Sequence, residues 1–189
     1  MKLLVATQNK HKKEEIEAIL NPSFEVVTLS DLNDFDEVEE TGDSFFENAL
    51  LKASYYAKKH QMLTLADDSG LCIDALNGEP GIYSARYSGG SDQENIQLVL
   101  DKLRDTQDRG AHFTCVLVLY DPSTNAHQSF QGDLYGIIES KPKGSNGFGY
   151  DPIFFVPEYK QTLAEMHSKH KNLISHRAIA LQALKEALI

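Results

Sequence analysis

The stretch Leu63-Thr64-Leu65-Ala66-Asp67-Asp68-Ser69-Gly70 joins a short apolar run to two adjacent carboxylates, a hydroxyl group and a glycine. This pattern predicts a buried strand that ends at the carboxyl edge of a sheet, where open α/β folds usually place their functional residues. Because adjacent carboxylates repel each other, Asp67 and Asp68 need a nearby basic side chain or a divalent cation, unless one stays protonated. The alternative is that Asp67 caps the next turn and Asp68 faces water, and the stretch alone favours that alternative.

The length and charge of the chain restrict its fold and its partners. Its 189 residues suffice for one domain with a sizeable core or for two small lobes that share one. We expect a single domain over residues 1–189. Acidic residues outnumber basic ones by 28 to 18, which gives a net charge of −10. Such a charge does not attract a polyphosphate backbone, so we expect no nucleic-acid partner.

Two features predict a soluble, cytoplasmic protein. Cys72 and Cys115 both lie in apolar runs, which is typical of small core residues rather than of a disulfide or a metal site. No apolar run is long enough to span a bilayer, and the strand-like sequence from Lys2 to Ala6 stands where a signal peptide would be. We therefore expect no membrane partner.

The start of the first predicted helix is a candidate phosphate site. Three lysines lie in its first turn, namely Lys10, Lys12 and Lys13. Cations are unfavourable at this positive end of a helix dipole. A phosphate would instead meet free backbone N–H groups, the Thr7 hydroxyl, the Asn9 amide and a lysine ammonium. The position of the lysines at the start of a helix favours phosphate binding slightly over the commoner alternative, a solvated run of charges.

An acidic loop and the helix after it supply further candidates. Residues 30–40 include seven Asp, Glu or Asn residues. Most such loops are merely solvated, but one carboxylate could reach a metal ion. Ser44 and Glu47 form a capping-box pattern for a helix with an apolar face of helical period. Lys52 lies beside that face, where it can point to solvent or turn toward an anion.

Residues 144–152 form a glycine-rich segment that is a candidate ring-binding loop. It lacks the Gly-Lys-Ser/Thr ending of a P-loop, and a strand follows it. Glycines allow the backbone to approach a flat base, and Phe148 or Tyr150 could stack on that base. The alternative is an ordinary loop covered by aromatic core residues. Arg86, between two tyrosines, could likewise bind a phosphate or pair with a structural acid.

The last predicted helix also begins with basic groups. Ser175 is its predicted cap, His176 and Arg177 lie in its first turn, and Lys169 and Lys171 precede it. Two helices of one acidic chain thus begin with cations. This repetition favours anion binding over a chance arrangement.

Seven motifs follow one another along the chain. They are Thr-x-Asn-x-x-Lys at Thr7 to Lys12, Glu-Glu-Thr-Gly at Glu39 to Gly42, Glu-Asn-Ala and Lys-Ala within Glu47 to Ala53, Ala-Asp-Asp-Ser-Gly-Leu at Ala66 to Leu71, Pro-Gly-Ile-Tyr-Ser-Ala-Arg-Tyr-Ser-Gly at Pro80 to Gly89, Gly-Phe-Gly-Tyr-Asp-Pro-Ile-Phe at Gly147 to Phe154, and Ser-His-Arg at Ser175 to Arg177. Each motif alone is weak. In this order and over almost the whole chain, the set resembles the inosine/xanthosine triphosphate pyrophosphatase family.

The resemblance implies a fold, an activity and an assembly. The fold would be α/β, with an elongated mixed β-sheet flanked by helices and two lobes with a central cleft. The activity would be the Mg²⁺-dependent hydrolysis of non-standard purine triphosphates, ITP, dITP and XTP, to the monophosphate and pyrophosphate. The protein would be a homodimer.

The resemblance also implies roles for individual residues. Asp68 would be the general base, and Glu39 and Asp68 would hold Mg²⁺. The substrate would be bound by the loop residues Thr7, Gln8, Asn9, Lys10, His11 and Lys12, by Lys52 and Ser69, and, around the base and sugar, by Phe148, Gly149, Tyr150, Asp151, Lys171, His176 and Arg177. Two positions depart from the family pattern: Ser168-Lys169-His170 stands where acids often precede the lysine, and Gln8 stands where a smaller residue is common.

Two other functions are compatible with parts of this sequence. The pyrophosphatase reaction itself, hydrolysis at the α-phosphorus, needs lysines, carboxylate-held Mg²⁺ and a base, without a nucleophilic Ser or Cys. The first alternative is a non-catalytic nucleotide-binding module on the same fold, which turnover would exclude. The second is an enzyme for a pyrimidine or methylated nucleotide, as in the related septum-formation-inhibitor group. The Ser-His-Arg and Gly-Phe-Gly-Tyr-Asp motifs argue against that second alternative.

Overall fold

The computed structural model describes residues 2–20 and 24–188, and within them it shows a mixed sheet with helices. Its strands are β1 (Lys2–Val5), β2 (Glu25–Thr28), β3 (Thr64–Ile73), β4 (Gly110–Asp121), β5 (Ala126–Ile138), β6 (Phe154–Val156) and β7 (Gln161–Thr162). Its helices are α1 (Lys10–Leu20), α2 (Phe45–His60), α3 (Asp92–Lys102), α4 (Ser168–Ile174) and α5 (His176–Leu188). Within this described part, no helix is long and apolar enough to cross a membrane.

The sheet has the strand order β2-β1-β3-β4-β5-β6-β7. Strands β1, β2 and β3 pair in parallel, whereas β5, β6 and β7 pair antiparallel. The predicted mixed α/β sheet is therefore confirmed. The chain divides into two compact units: unit 1 is Met1–Asp68, Cys115–Gly132 and His176–Ile189, and unit 2 is Ser69–Thr114 and Asp133–Ser175.

Unit 1 buries both faces of its strands because their side chains alternate in direction. Leu3 and Val5 of β1 belong to one core cluster, together with apolar residues of α1 and α5. Leu4 and Ala6 belong to the other cluster, together with alanines of α2. Residues that alternate along a strand point to opposite faces, so α1 and α5 cover one face and α2 covers the other.

Helix α5 approaches β5 closely within unit 1, and Gly132 permits this approach. A Cβ atom built on Gly132 would lie 2.2 Å from the His176 carbonyl oxygen and 2.6 Å from the Ala180 nitrogen. These distances are far shorter than any real Cβ contact. The missing side chain thus lets the first turn of α5 pack directly on the strand.

Strand β3 does not end where the sequence predicted. It continues through Asp67, Asp68, Ser69 and Gly70 to Ile73, so the predicted turn at these residues is wrong. What ends here is the parallel pairing, since β1 pairs with β3 only up to Leu65. The carboxylates are tolerated inside a buried strand because cations from the covering helices reach them, as described below.

Unit 2 has its own core, formed by the end of β3, helix α3 and strands β4 and β6. Ile96 and Val99, which are spaced three apart as on one face of a helix, are buried in α3. Ser91 is the cap of this helix: its hydroxyl accepts from the Glu94 N–H, and the Glu94 carboxylate accepts from the Ser91 N–H. From the sequence, either Ser91 or Asp92 could cap this helix, and the structure selects Ser91.

Three local predictions need correction. Ser44 caps α2 as predicted, but the Glu47 carboxylate bonds to the Asp43 N–H, so the box is not reciprocal. Helix α4 was missed because its sequence, Ser-Lys-His-Lys-Asn-Leu-Ile, has no apolar stripe. Ser175 is thus the single residue between α4 and α5. The helical spacing of Ala180, Leu184 and Ala187 predicts that Ala187 lies on the inner face of α5, but Ala187 is exposed.

The two cysteines are core thiols, as expected. Both are free, Cys115 is buried and Cys72 is half-buried. Burial raises the pKa of Cys72 to about 11 and that of Cys115 to about 12. Neither thiol is therefore ionised near neutral pH, which makes both poor nucleophiles and poor metal ligands.

The acidic loop of unit 1 is fastened to the end of α2 rather than merely solvated. The Asp34 side chain is only 2% exposed and lies 2.8 Å from Lys59 Nζ and 2.6 Å from His60 Nε2. Asp36 accepts hydrogen bonds from Lys59 Nζ at 2.7 Å and from the Tyr55 hydroxyl at 2.6 Å. The hydrogen bond from Lys59 outweighs burial and lowers the pKa of Asp34 from 3.8 to about 2.

Asp34 should make the stability of the protein dependent on acid pH. Because its folded pKa lies below the unfolded value, the stabilisation is complete above about pH 4 and disappears as the pH falls toward 2. We expect Asp34→Asn to reduce the unfolding free energy at pH 7 by about 1–3 kcal/mol, since Lys59 and His60 lose a buried, ionised acceptor. Urea titrations at pH 7 and pH 3 measure this, and the difference between variant and wild type should shrink at pH 3. Asp105→Asn, at an exposed aspartate, is the matched control, and an equal loss in it would contradict the assignment.

Candidate active site

Strand β3 directs its two adjacent carboxylates to opposite faces of the sheet in unit 1. Asp67 follows the alternation of Leu65, which belongs to the core beneath α1 and α5, whereas Asp68 follows Ala66, which belongs to the core beneath α2. The mutual repulsion that the sequence suggested is thereby reduced. Each carboxylate meets a lysine from the helix that covers its own face.

Asp67 is the centre of a buried ion-pair network. Its Oδ2 atom lies 2.9 Å from Lys12 Nζ and 3.1 Å from Arg177 Nη2. Arg177 also bonds to Glu15 of α1, and its side chain is only 1% exposed. Burial alone would raise the pKa of Asp67, but Lys12, Arg177 and Lys52 outweigh it and hold that pKa well below its usual range. Asp67 is therefore ionised at any physiological pH.

The loop that precedes α1 is shaped by its own polar side chains. Asn9 Oδ1 accepts hydrogen bonds from the N–H groups of His11 at 3.0 Å and Lys12 at 3.2 Å, so it caps the helix. Thr7 Oγ1 accepts from the Asn9 N–H at 3.2 Å. Gln8 Nε2 donates to the Asp36 carbonyl oxygen at 2.7 Å and so ties this loop to the acidic loop. Two N–H groups that we expected to be free for a phosphate are thus engaged by Asn9.

Asp68 lies in a second cluster, on the α2 face. Lys52 Nζ lies 2.6 Å from Glu40 Oε1 and 3.8 Å from Asp68 Oδ1, so the lysine is held more closely by Glu40. Burial raises the pKa of Asp68 to about 6, against the opposing effect of Lys52. Lys52 turns inward, which the sequence left open. Glu39, the predicted metal ligand, is exposed, and its neighbour Glu40 is the residue that reaches Lys52.

The charged groups around β3 carry no excess of positive charge. Three cations face four carboxylates: Lys12, Lys52 and Arg177 against Glu15, Glu40, Asp67 and Asp68. In the described residues, no three His, Cys, Asp or Glu side chains converge as a ready metal site. An anion that bound here would therefore need to bring a cation of its own.

In unit 2, the predicted ring-binding loop is organised around Asp151. Asp151 Oδ2 accepts from Lys171 Nζ at 2.7 Å and from the Phe148 N–H at 2.9 Å. The Lys171 ammonium lies 4.7 Å from the centre of the Phe148 ring. Gly147 and Gly149 have φ angles of 75° and 58°, a region that favours glycine. Lys171 and Asp151 are both buried, so they form an internal pair that fixes the loop.

The two aromatic residues of this loop have different environments. Tyr150 is buried in the core of unit 2, and its hydroxyl donates to the Ser84 carbonyl oxygen at 2.7 Å. Phe148 is half-buried. Phe148 is therefore the better candidate for stacking, while Tyr150 anchors the loop to the core.

The remaining predicted residues fall in three places. Lys10 and His11 are exposed in the first turn of α1, and Ser69 is half-buried on β3. His176 and Arg177 are buried at the start of α5 in unit 1. For Arg177 the observed partners are Glu15 and Asp67. The predicted contact of Arg177 with the base remains a prediction, and the structure offers an indirect role through Asp67.

Sequence reasoning missed three members of the site. Asp67 was noticed but given no role, Glu15 was not considered, and Glu39 was preferred to Glu40. One signal for Glu15 was available: it lies three residues after Lys12 and directly before the buried Ile16, so an acid there borders the core face of α1. Its partner Arg177 is 162 residues away along the chain, and no local pattern reveals that pairing.

Comparison with known proteins gives consistent matches over almost the entire chain. A family profile described as the Ham1 family matches residues 3–187. Two relatives named dITP/XTP pyrophosphatase, from Shouchella clausii and Geobacter sulfurreducens, are 49% and 48% identical and align over 98% and 99% of this chain and 96% of their own lengths. The structures of the Staphylococcus aureus Ham1 protein and of a HAM1 protein from Coxiella burnetii have TM-scores of 0.90 and 0.91, with 43% and 41% identity, and cover 100% of this chain and 98% of each structure.

The burial of Arg177 predicts a large loss of stability when its charge is removed. Arg177→Met would leave Glu15 and Asp67 as buried acids without this partner, and we expect a loss of about 3–5 kcal/mol. Urea denaturation measures the loss. Adding Glu15→Gln to Arg177→Met should recover part of it, because one of the two buried charges is then removed.

Arg104→Met is the matched control for this prediction. Arg104 pairs with Asp101 at 2.7 Å, but both side chains are largely exposed, so the control should lose less than about 1 kcal/mol. Equal losses in Arg177→Met and Arg104→Met would show that the buried network does not have the assigned importance.

Proposed function

The chain belongs to the Ham1 family, and we propose that it hydrolyses non-standard purine nucleoside triphosphates, namely ITP, dITP and XTP, to the monophosphate and pyrophosphate. The observation that carries the proposal is the identity of 49% and 48%, over almost the full length of the chain, to relatives named dITP/XTP pyrophosphatase. The charged clusters around Asp67 and Asp68 support it, because they supply the lysines and carboxylates that phosphoanhydride hydrolysis requires.

We assign the triphosphate to residues of unit 1. Lys12 and Lys52 would bind phosphoryl oxygens, with further contacts from the loop of Thr7, Gln8, Asn9, Lys10 and His11. Asp67 supports this role because it holds Lys12 in a defined position, so little side-chain entropy would remain to be lost on binding. Arg177 would act through Asp67 by keeping that carboxylate ionised and oriented.

Asp68 would be the base that accepts a proton from the attacking water. Its pKa of about 6 lies closer to neutral pH than that of an ordinary aspartate, which makes it a stronger proton acceptor while it remains ionised. Attack at the α-phosphorus would release pyrophosphate as one piece. Ser69, the next residue on β3, would contact the substrate.

We propose a divalent cation, Mg²⁺, held by Asp68 of this cluster together with the exposed Glu39. The cluster has more carboxylates than cations, so it cannot neutralise a triphosphate by itself. Mg²⁺ commonly binds through one or two carboxylates together with substrate phosphates, and so requires no complete cage of protein ligands. When bound, it would neutralise charge that develops on the phosphoryl oxygens.

We assign the base and sugar to residues of unit 2, namely Phe148, Gly149, Tyr150, Asp151 and Lys171. Phe148 would supply the stacking face, and the buried Asp151–Lys171 pair would present fixed polar groups. Such groups are left unpaired or opposed when a 6-amino purine replaces a 6-oxo purine, and sites of this kind can reject the wrong ligand by about 10⁴-fold. The 2-amino group of GTP would crowd the same edge.

The proposal predicts both the products and the substrate order. With Mg²⁺ present, ITP, dITP and XTP should give the monophosphate and pyrophosphate, whereas ATP should react about 10⁴-fold more slowly and GTP should also be poor. Chromatographic separation of products from a panel of nucleoside triphosphates measures both. Inosine diphosphate and orthophosphate as products would contradict attack at the α-phosphorus, and binding of ITP without turnover would favour a non-catalytic module.

One variant and one chelation experiment complete this test. Asp68→Asn should reduce ITP turnover by about 100-fold or more, the usual scale for a general base, while circular dichroism shows an intact fold. Chelation of Mg²⁺ should abolish turnover, and added Mg²⁺ should restore it. Near wild-type turnover in folded Asp68→Asn would move the base role to another carboxylate, and full activity in chelator would remove the metal from the proposal.

We further propose the homodimer and the cytoplasmic location that the resemblance implies. An apolar patch in unit 1 supports self-association: Phe35 is 71% exposed, and Leu51 and Tyr55 lie exposed on one side of α2. The hydrogen bond from the Tyr55 hydroxyl to Asp36 holds Asp36, the residue after Phe35, against that helix. The free cysteines fit a reducing compartment.

Sedimentation should accordingly give twice the chain mass of 21.1 kDa. Phe35→Asp should shift the protein toward the monomer, because a charge is then placed in the apolar patch. Leu173→Asp, at an exposed apolar residue of unit 2, is the control and should leave the mass unchanged. A monomeric wild type would contradict the proposal.

A further inference from the structure

The Gly147–Asp151 loop donates a hydrogen bond to a residue outside its own motif. The Gly149 N–H donates to Asp92 Oδ2 at 2.9 Å, although the two residues are 57 positions apart. Inside the loop, the Phe148 N–H donates to Asp151 Oδ2 at the same distance. Two successive backbone groups of the proposed base-binding loop are therefore held by carboxylates, one internal and one contributed by α3.

The backbone of Asp92 is held in place by helix α3. Asp92 is the first residue of α3, whose start is already closed by the reciprocal hydrogen bonds of Ser91 and Glu94. One turn further on, Asn95 is buried and accepts from the N–H and hydroxyl of Ser88 at 2.7 Å each. Ile96 is buried in the core of unit 2. The helix thus fixes the backbone position of Asp92, whose exposed side chain reaches the loop.

A second bond anchors the loop at the neighbouring residue. The Tyr150 hydroxyl donates to the Ser84 carbonyl oxygen at 2.7 Å. The Ser84 hydroxyl in turn donates to the Gly81 carbonyl oxygen at 2.6 Å and accepts from the Leu71 N–H at 2.9 Å. Positions 149 and 150 are consequently both fixed from outside the loop, by structure that the proposed base and triphosphate contacts do not involve.

We infer that Asp92 is a positioning residue for base recognition, which sets the backbone at Gly149 and thereby the orientation of the Phe148 ring. The inference rests on the proposed function, because it assumes that this loop binds the base. Gly149 has a φ of 58°, so its backbone would also have other conformations available. The carboxylate selects one of them through a charge-assisted hydrogen bond.

A purely structural role for Asp92 predicts a different result. An acid in the first turn of a helix stabilises that helix by about 0.3–1 kcal/mol through the helix dipole. Such a role would alter stability, but it would not alter substrate affinity alone. Glu94 provides the matched control, because its carboxylate lies in the same turn and caps the same helix, and its bonds in the structure are to Ser91.

The test compares Asp92→Ala, Asp92→Asn and Glu94→Ala in steady-state hydrolysis of ITP with Mg²⁺. Asp92→Ala should raise KM about tenfold, the scale of one hydrogen bond to a charged group, with kcat changed less than about twofold. Asp92→Asn retains an acceptor oxygen and should restore most of the affinity. Inhibition by pyrophosphate should be unchanged in all three variants, since the residues assigned to the phosphates lie in unit 1.

Several outcomes overturn the inference. They are an unchanged KM in Asp92→Ala, an equal rise in Glu94→Ala, and a failure of Asp92→Asn to restore affinity. If the wild-type protein does not hydrolyse ITP, the proposed function fails, and amide exchange then tests Asp92 independently. The Gly149 amide should exchange about tenfold faster in Asp92→Ala than in wild type and Glu94→Ala, and equal protection would overturn the role assigned to Asp92.

Discussion

Adjacent residues of a β-strand point to opposite faces, and in β3 this rule separates two carboxylates that would otherwise repel each other. Asp67 enters the side covered by α1 and α5, and Asp68 enters the side covered by α2. Each then meets a lysine of its own. The charged site of unit 1 is therefore a consequence of strand geometry, and shifting the strand by one residue would exchange the partners of both acids.

Much of the fold could be predicted from local periodicity. The inner faces of α1, α2 and α3 follow from apolar residues spaced three and four apart, and the caps Ser44 and Ser91 mark two helix starts. The end of β3 could not be predicted, because charged residues normally interrupt a buried strand. Only the cations supplied by distant segments allow it to continue. Helix α4 could not be predicted either, because its seven residues show no period.

The residue types of the site were visible in the sequence, whereas their partners were not. Lys12, Lys52 and Asp68 were recognised from motifs and from position. Arg177 was assigned to the base, yet its observed contacts are with Glu15 and Asp67, which lie 162 and 110 positions away. Pairings at such separations depend on the tertiary packing of helices on the sheet, and spacing along one segment contains no information about them.

Two of the charged clusters use one buried carboxylate as a common acceptor for several donors. Asp67 holds a lysine and an arginine, while Asp151 holds a lysine and a backbone N–H. An isolated buried cation would be costly, but one paired with such an acid remains charged and fixed in place. A ligand that meets these lysines consequently loses little binding energy to ordering them. It must instead compete with the internal carboxylates for those lysines.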